Sequence, residues 1–128
     1  MTTSPPLIEL LSEPDPDRLA AALAEDVRFR SPYADYHGRA DVRHLLGLIA
    51  RVLADVKVVG SSQQEDGTRM TLVDIGPGAQ MQGVLCERHD DAGRLADAML
   101  LLRPYAGLRA AMAAMAQLME AEPLPSAR

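Results

Sequence analysis

Apolar positions recur at helical spacing at the start of the chain, where Leu7, Ile8, Leu10 and Leu11 form one stripe, and the stripe stops at Ser12 ahead of Pro14 and Pro16. Ser4 followed by Pro5 has the form of an N-cap with proline at the first helical position. Asp15-Pro16-Asp17 repeats that signal, so a second helix is expected to carry Leu19 and Leu23 inward. At Val27 the period changes to two. Val27, Phe29 and Ser31 share one face of a strand and Arg28 and Arg30 the other, until Pro32 ends the pairing. After Gly38 the period returns to that of a helix through Val42, Leu45, Leu46, Ile49, Val52 and Leu53, with His44, Leu48 and Arg51 on the opposite side.

The second half reads as four strands, 56–62, 68–75, 80–88 and 95–103. They are separated by the turns Glu65-Asp66-Gly67, Gly76-Pro77-Gly78 and Asp90-Asp91-Ala92-Gly93, which predicts an antiparallel meander. Leu108, Met112, Met115 and Met119 then recur at spacings of four and three along an alanine-rich closing helix. The expected class is α+β, with three N-terminal helices against a curved antiparallel sheet and one C-terminal helix. One domain over residues 1–128 is expected, with the proline-broken tail 121–128 disordered.

Composition narrows the partners. With 128 residues the chain can bury roughly two thirds of its unfolded surface without disulfide or metal. Its single cysteine, Cys86, allows no internal disulfide, and three scattered histidines suggest no metal site, so a cytoplasmic setting is expected. A net charge of -5 with Lys57 as the only lysine argues against nucleic acid and anionic membrane as partners. No apolar run is long enough to span a bilayer, and the N-terminal end lacks the positive region of a signal peptide.

The run AEDVRFRSPYADYHGRADV, the later QGV and the closing LLRPYAGLRAAMAAM resemble the nuclear-transport-factor-2-like, or SnoaL-like, superfamily, over about Leu7 to Met119. That resemblance implies a cystatin-like cone with a pocket between helices and sheet, on a fold that hosts isomerases, cyclases, hydrolases and binding proteins. In the ketosteroid isomerases of the superfamily, a tyrosine and a protonated aspartate hold the dienolate oxygen while a second aspartate moves the proton. Aligned on this chain, those positions fall on Leu7, Leu85 and Ser31. Leucine offers no proton, and serine is a poor base without a neighbouring histidine or lysine. The limonene-epoxide-hydrolase pattern would need an arginine and an aspartate at Gly83 and Leu85, and both are missing.

The expected ligand pocket comprises Leu7, Phe29, Ser31, Tyr33, Tyr36, Leu85 and Arg103, with Tyr36 and His37 as the candidate catalytic residues. Asp74 and Glu87 read as exposed strand-end charges, each with a buried carboxylate as the alternative. Arg103 reads as a carboxylate binder or as half of an ion pair, with Asp97 on the same strand face or with an acid of the second helix. The methionines of the second half suit an adaptable apolar lining. The expected function is binding of a small, largely apolar molecule without a cofactor, the alternatives being a SnoaL-like isomerase or cyclase and a pure association module. A homodimer is expected through the outer sheet face, read as Val84 and Cys86 beside Ala98, Leu100 and Leu102.

Overall fold

The computed structural model describes residues 6–78 and 80–127, so the Ser4-Pro5 cap lies outside the described residues. Two short helices open the structure, α1 (Leu7–Ser12) and α2 (Pro16–Ala22). The Asp15 carboxylate accepts from the Asp17 N–H at 2.9 Å and so caps α2 as its sequence requires. There follow β1 (Leu23–Arg30), β2 (Asp35–His37), α3 (Arg39–Val52), β3 (Val56–Gln63), β4 (Arg69–Ile75), β5 (Met81–His89), β6 (Leu95–Arg103) and α4 (Tyr105–Ala121). A single turn of tighter helix, Pro125–Ala127, ends the described chain.

The strands form one six-stranded sheet in the order β2-β1-β6-β5-β4-β3. Strands β3 to β6 are the expected meander, and β1 and β2 form an antiparallel pair. The junction between β1 and β6 is parallel, closing the first and last strands against each other with a register irregularity between Leu23 and Arg28. This pairing starts β1 at Leu23, which stands opposite Leu95 rather than on the second helix as expected. The core lies between the inner face of the sheet and the helices, where Phe29, Leu85 and Ala98 meet Leu7, Leu19 and Leu46.

Three expectations are corrected by packing. Leu48 is buried, not exposed, because the α3 side bearing His44, Leu48 and Arg51 receives the end of α4. His44 Nε2 lies 2.7 Å from the Glu122 carbonyl oxygen, and Arg51 donates to the Glu122 carboxylate at 2.5 Å. The tail beyond Ala121, expected to be disordered, therefore folds back on α3. There Ser126 donates through its N–H and its hydroxyl to the two oxygens of Asp41, at 3.0 and 2.5 Å.

The third correction concerns the faces of β6. Ala98 and Leu100 are buried on the inner face, opposite Glu87 and Leu85, while Met99 and Leu101 point outward opposite Cys86 and Val84. The outer face still carries an apolar patch, but its rows are Met70-Cys86-Met99 and Leu72-Val84-Leu101, with Leu72 45% and Leu101 51% exposed. At one end of the patch Asp97 takes Arg28 at 2.8 Å and Arg30 at 3.4 Å. Arg103 has a different partner from the expected Asp97, donating to the Gln82 side-chain oxygen at 2.6 Å.

Candidate functional site

Helix α4 stands off the sheet. None of its residues is fully buried, yet Leu108, Met112, Met115 and Met119 all turn to the same side. Beneath that stripe lies a cavity of about 540 Å³, with Leu45, Ile49 and Val52 of α3 on one wall and Leu100 and Leu102 of β6 on the other. Both ends of α4 are fixed. Gly107 sits so close to Met81 that a β-carbon there would collide with it, and the Glu122 and Ser126 contacts hold the far end to α3.

The cavity has one polar end, formed by Ser31, Tyr33 and Tyr36 from the turn between β1 and β2 and from β2 itself. Ser31 builds that turn: its hydroxyl donates to the Ala34 carbonyl at 2.8 Å and accepts from the N–H groups of Tyr33 and Ala34 at 3.1 and 3.0 Å. The turn returns the chain as β2, which sets Tyr36 opposite Phe29 and against the core. Burial raises the Tyr36 phenol above its ordinary pKa, the nearby Tyr33 adds to the effect and hydrogen bonding with Ser31 opposes it. Tyr36 is thus held as a neutral O–H. Tyr33, 75% exposed, stands at the mouth.

The other residues expected at the pocket lie elsewhere. Leu7 is packed in the core, and Phe29 and Leu85 line a separate space of about 30 Å³ beside Ile8 and Leu11 of α1. Arg103 is on the outer face of the sheet. His37 is exposed, its Nε2 3.1 Å from the Asp26 carbonyl oxygen, and it does not line the cavity. Leu7, Leu85 and Ser31, the aligned isomerase positions, are therefore not gathered around one space. At Gly83 a β-carbon would come within 2.9 Å of Leu102, so a side chain there requires Leu102 to shift.

Glu87 takes the buried alternative. It is fully buried on β5, and one carboxylate oxygen accepts from the Leu7 N–H at 2.7 Å, tying the start of α1 to the sheet. Burial raises its pKa, while the Leu7 N–H and the charge of Arg69 pull it down by less. A raised carboxylate pKa means that the folded state holds the proton more tightly than the unfolded state, so this group adds stability as pH falls through its folded pKa. The wild type is accordingly expected to gain thermal stability on the non-titrating Glu87→Gln variant as pH is lowered towards the ordinary glutamate range. Melting curves across that window check the sign, and a wild type that loses ground on acidification contradicts it.

The SnoaL-like domain family matches residues 7–75, more than half of the chain. The chain belongs to this family. Its fold is shared with solved structures over most of their length. An uncharacterised bacterial protein with a cystatin-like fold from Silicibacter pomeroyi is 24% identical, with 91% of this chain and 87% of that one covered at a TM-score of 0.81. A steroid delta-isomerase from Pseudomonas aeruginosa is 27% identical, with 89% and 86% covered and a TM-score of 0.80. A de novo designed protein with a curved β-sheet is 12% identical and still reaches 0.70 over 87% and 89%. No curated protein matches the chain.

Proposed function

We propose that the chain binds a small, largely apolar molecule in the cavity beneath α4 and does not isomerise ketosteroids. The observation that carries this reading is the cavity itself. It has the size of a drug-sized ligand site, and every lining side chain except those of Ser31, Tyr33 and Tyr36 is apolar. Methionine side chains on one helix can adjust to the shape of what they cover.

The likeness to a steroid delta-isomerase favours a second reading, an isomerase of the SnoaL-like kind. Against it stands the chemistry of the aligned positions. Leucine at Leu7 and Leu85 cannot donate to a developing enolate, and such donors supply on the order of several kcal/mol of transition-state stabilisation. The Ser31 hydroxyl is engaged in the turn by three hydrogen bonds, so it is not free to act as a base. Incubation with a β,γ-unsaturated ketosteroid is expected to give no absorbance from conjugation above the buffer rate. Turnover that is lost in Tyr36→Phe would establish the isomerase reading instead.

The homodimer belongs to the same proposal, with its interface on the rows Met70-Cys86-Met99 and Leu72-Val84-Leu101. A second copy would cover a face whose leucines otherwise stay in water. Sedimentation at micromolar concentration is expected to show a dimer, and a monomer alone would remove the interface.

A further inference from the structure

We infer that Tyr36 selects the ligand, and that the cavity takes an uncharged lipophile carrying one hydrogen-bond acceptor, such as a carbonyl oxygen, at the end nearest β2. This rests on the binding reading above and adds the polar half of the recognition. Of the three polar side chains at the cavity, Ser31 is engaged in its own turn, where its hydroxyl gives its proton to Ala34 and receives two backbone N–H groups. Tyr33 stands in solvent, where water competes for its hydroxyl. Tyr36 is half-buried and packed on the core, with the Ser31 hydroxyl beside it.

The Tyr36 phenol can therefore satisfy its proton on a ligand oxygen at this end, where its packing against the core favours the bond. Among the described residues no Asp, Glu, Lys, Arg or His lines the cavity, so a carboxylate would be desolvated there without a cation to pair with. The same lining gives an ammonium group no anion. Neutral acceptors are favoured over hydrocarbons by one hydrogen bond and over acids by the cost of an unpaired charge. This separates the ligand from free fatty acids, which are equally lipophilic.

Fluorene, fluorenone and a fluorene carboxylate share one rigid ring system and differ in the polar group it carries. Titrated into the full chain, fluorenone is expected to bind more tightly than fluorene, and the carboxylate more weakly than either. Tyr36→Phe should weaken fluorenone by roughly three- to tenfold, the scale of one neutral hydrogen bond, and leave fluorene unchanged. Retained fluorene binding shows that the variant is folded and that the cavity reading stands. If fluorene binds but Tyr36→Phe leaves fluorenone untouched, or the carboxylate binds as well as fluorene, the assignment of Tyr36 is overturned alone. If none of the three binds the wild type, the cavity reading falls and the assignment with it.

Discussion

Ending the chain at Pro104 is expected to lower stability by a few kcal/mol and to abolish binding of apolar probes. The helix removed is alanine-rich with one apolar stripe, and in a folded protein most helical stability comes from packing such a face. Full burial of a leucine or methionine contributes about 1.5–3 kcal/mol. The α4 stripe is only partly buried, and ordering the helix opposes the gain, which leaves a net of a few kcal/mol. Probe binding should respond more sharply than stability, because α4 supplies one whole side of the cavity. Calorimetry and probe titration on the truncated chain measure the two effects. Equal melting temperatures would show that α4 contributes nothing to the fold.

Leu100→Glu and Leu101→Glu, one residue apart on β6, should behave in opposite ways. Leu100 is 7% exposed and touches the core beside Leu85, so a carboxylate there loses the apolar packing and has no basic partner among the cavity-lining residues. The cost is several kcal/mol, on the scale of a buried unpaired charge, and the variant is expected to be largely unfolded or aggregated. Leu101 is half exposed on the other face. Its replacement should change the monomer's stability by no more than about 0.5 kcal/mol and act on self-association. Circular dichroism with sedimentation separates the outcomes, and a folded Leu100→Glu monomer would contradict the observed faces of the strand.

That pair also shows what the sequence could and could not disclose. From Ala98 to Leu102 the strand is apolar at every position, so alternation carries no parity and the inner face could not be read from hydrophobicity. The polar residues Asp97 and Arg103, which share parity with Met99 and Leu101, were the available signal. The element order was legible because proline and glycine punctuate it, from Asp15-Pro16 to the Gly93 turn. The parallel junction of β1 with β6 was not, because it joins segments far apart in the chain and leaves no local pattern.

The site was legible in part for similar reasons. Ser31, Tyr33 and Tyr36 are brought together by a local turn, and a serine before proline is a turn signal on its face. Leu7, Phe29 and Leu85 were expected on the cavity, but they pack together in the core, where Phe29 and Leu85 line the small second space. The open space instead lies where α4 and its tail are held away from the sheet. Contacts such as Glu122 with Arg51 and Ser126 with Asp41 span most of the chain, and a proline-rich ending reads as disorder.

Filling the cavity from within tests its role most directly. Ala111 on α4 lines it, and Ala111→Phe adds a ring at that wall. In a fluorescence titration with fluorene, the wild type is expected to saturate at one probe per chain, and Ala111→Phe to bind at least about tenfold more weakly, a loss of roughly 1.4 kcal/mol. Its melting temperature should stay level or rise. Equal, saturable binding by both chains would place the probe elsewhere and contradict a ligand site beneath α4, as would a wild type that shows no saturable binding.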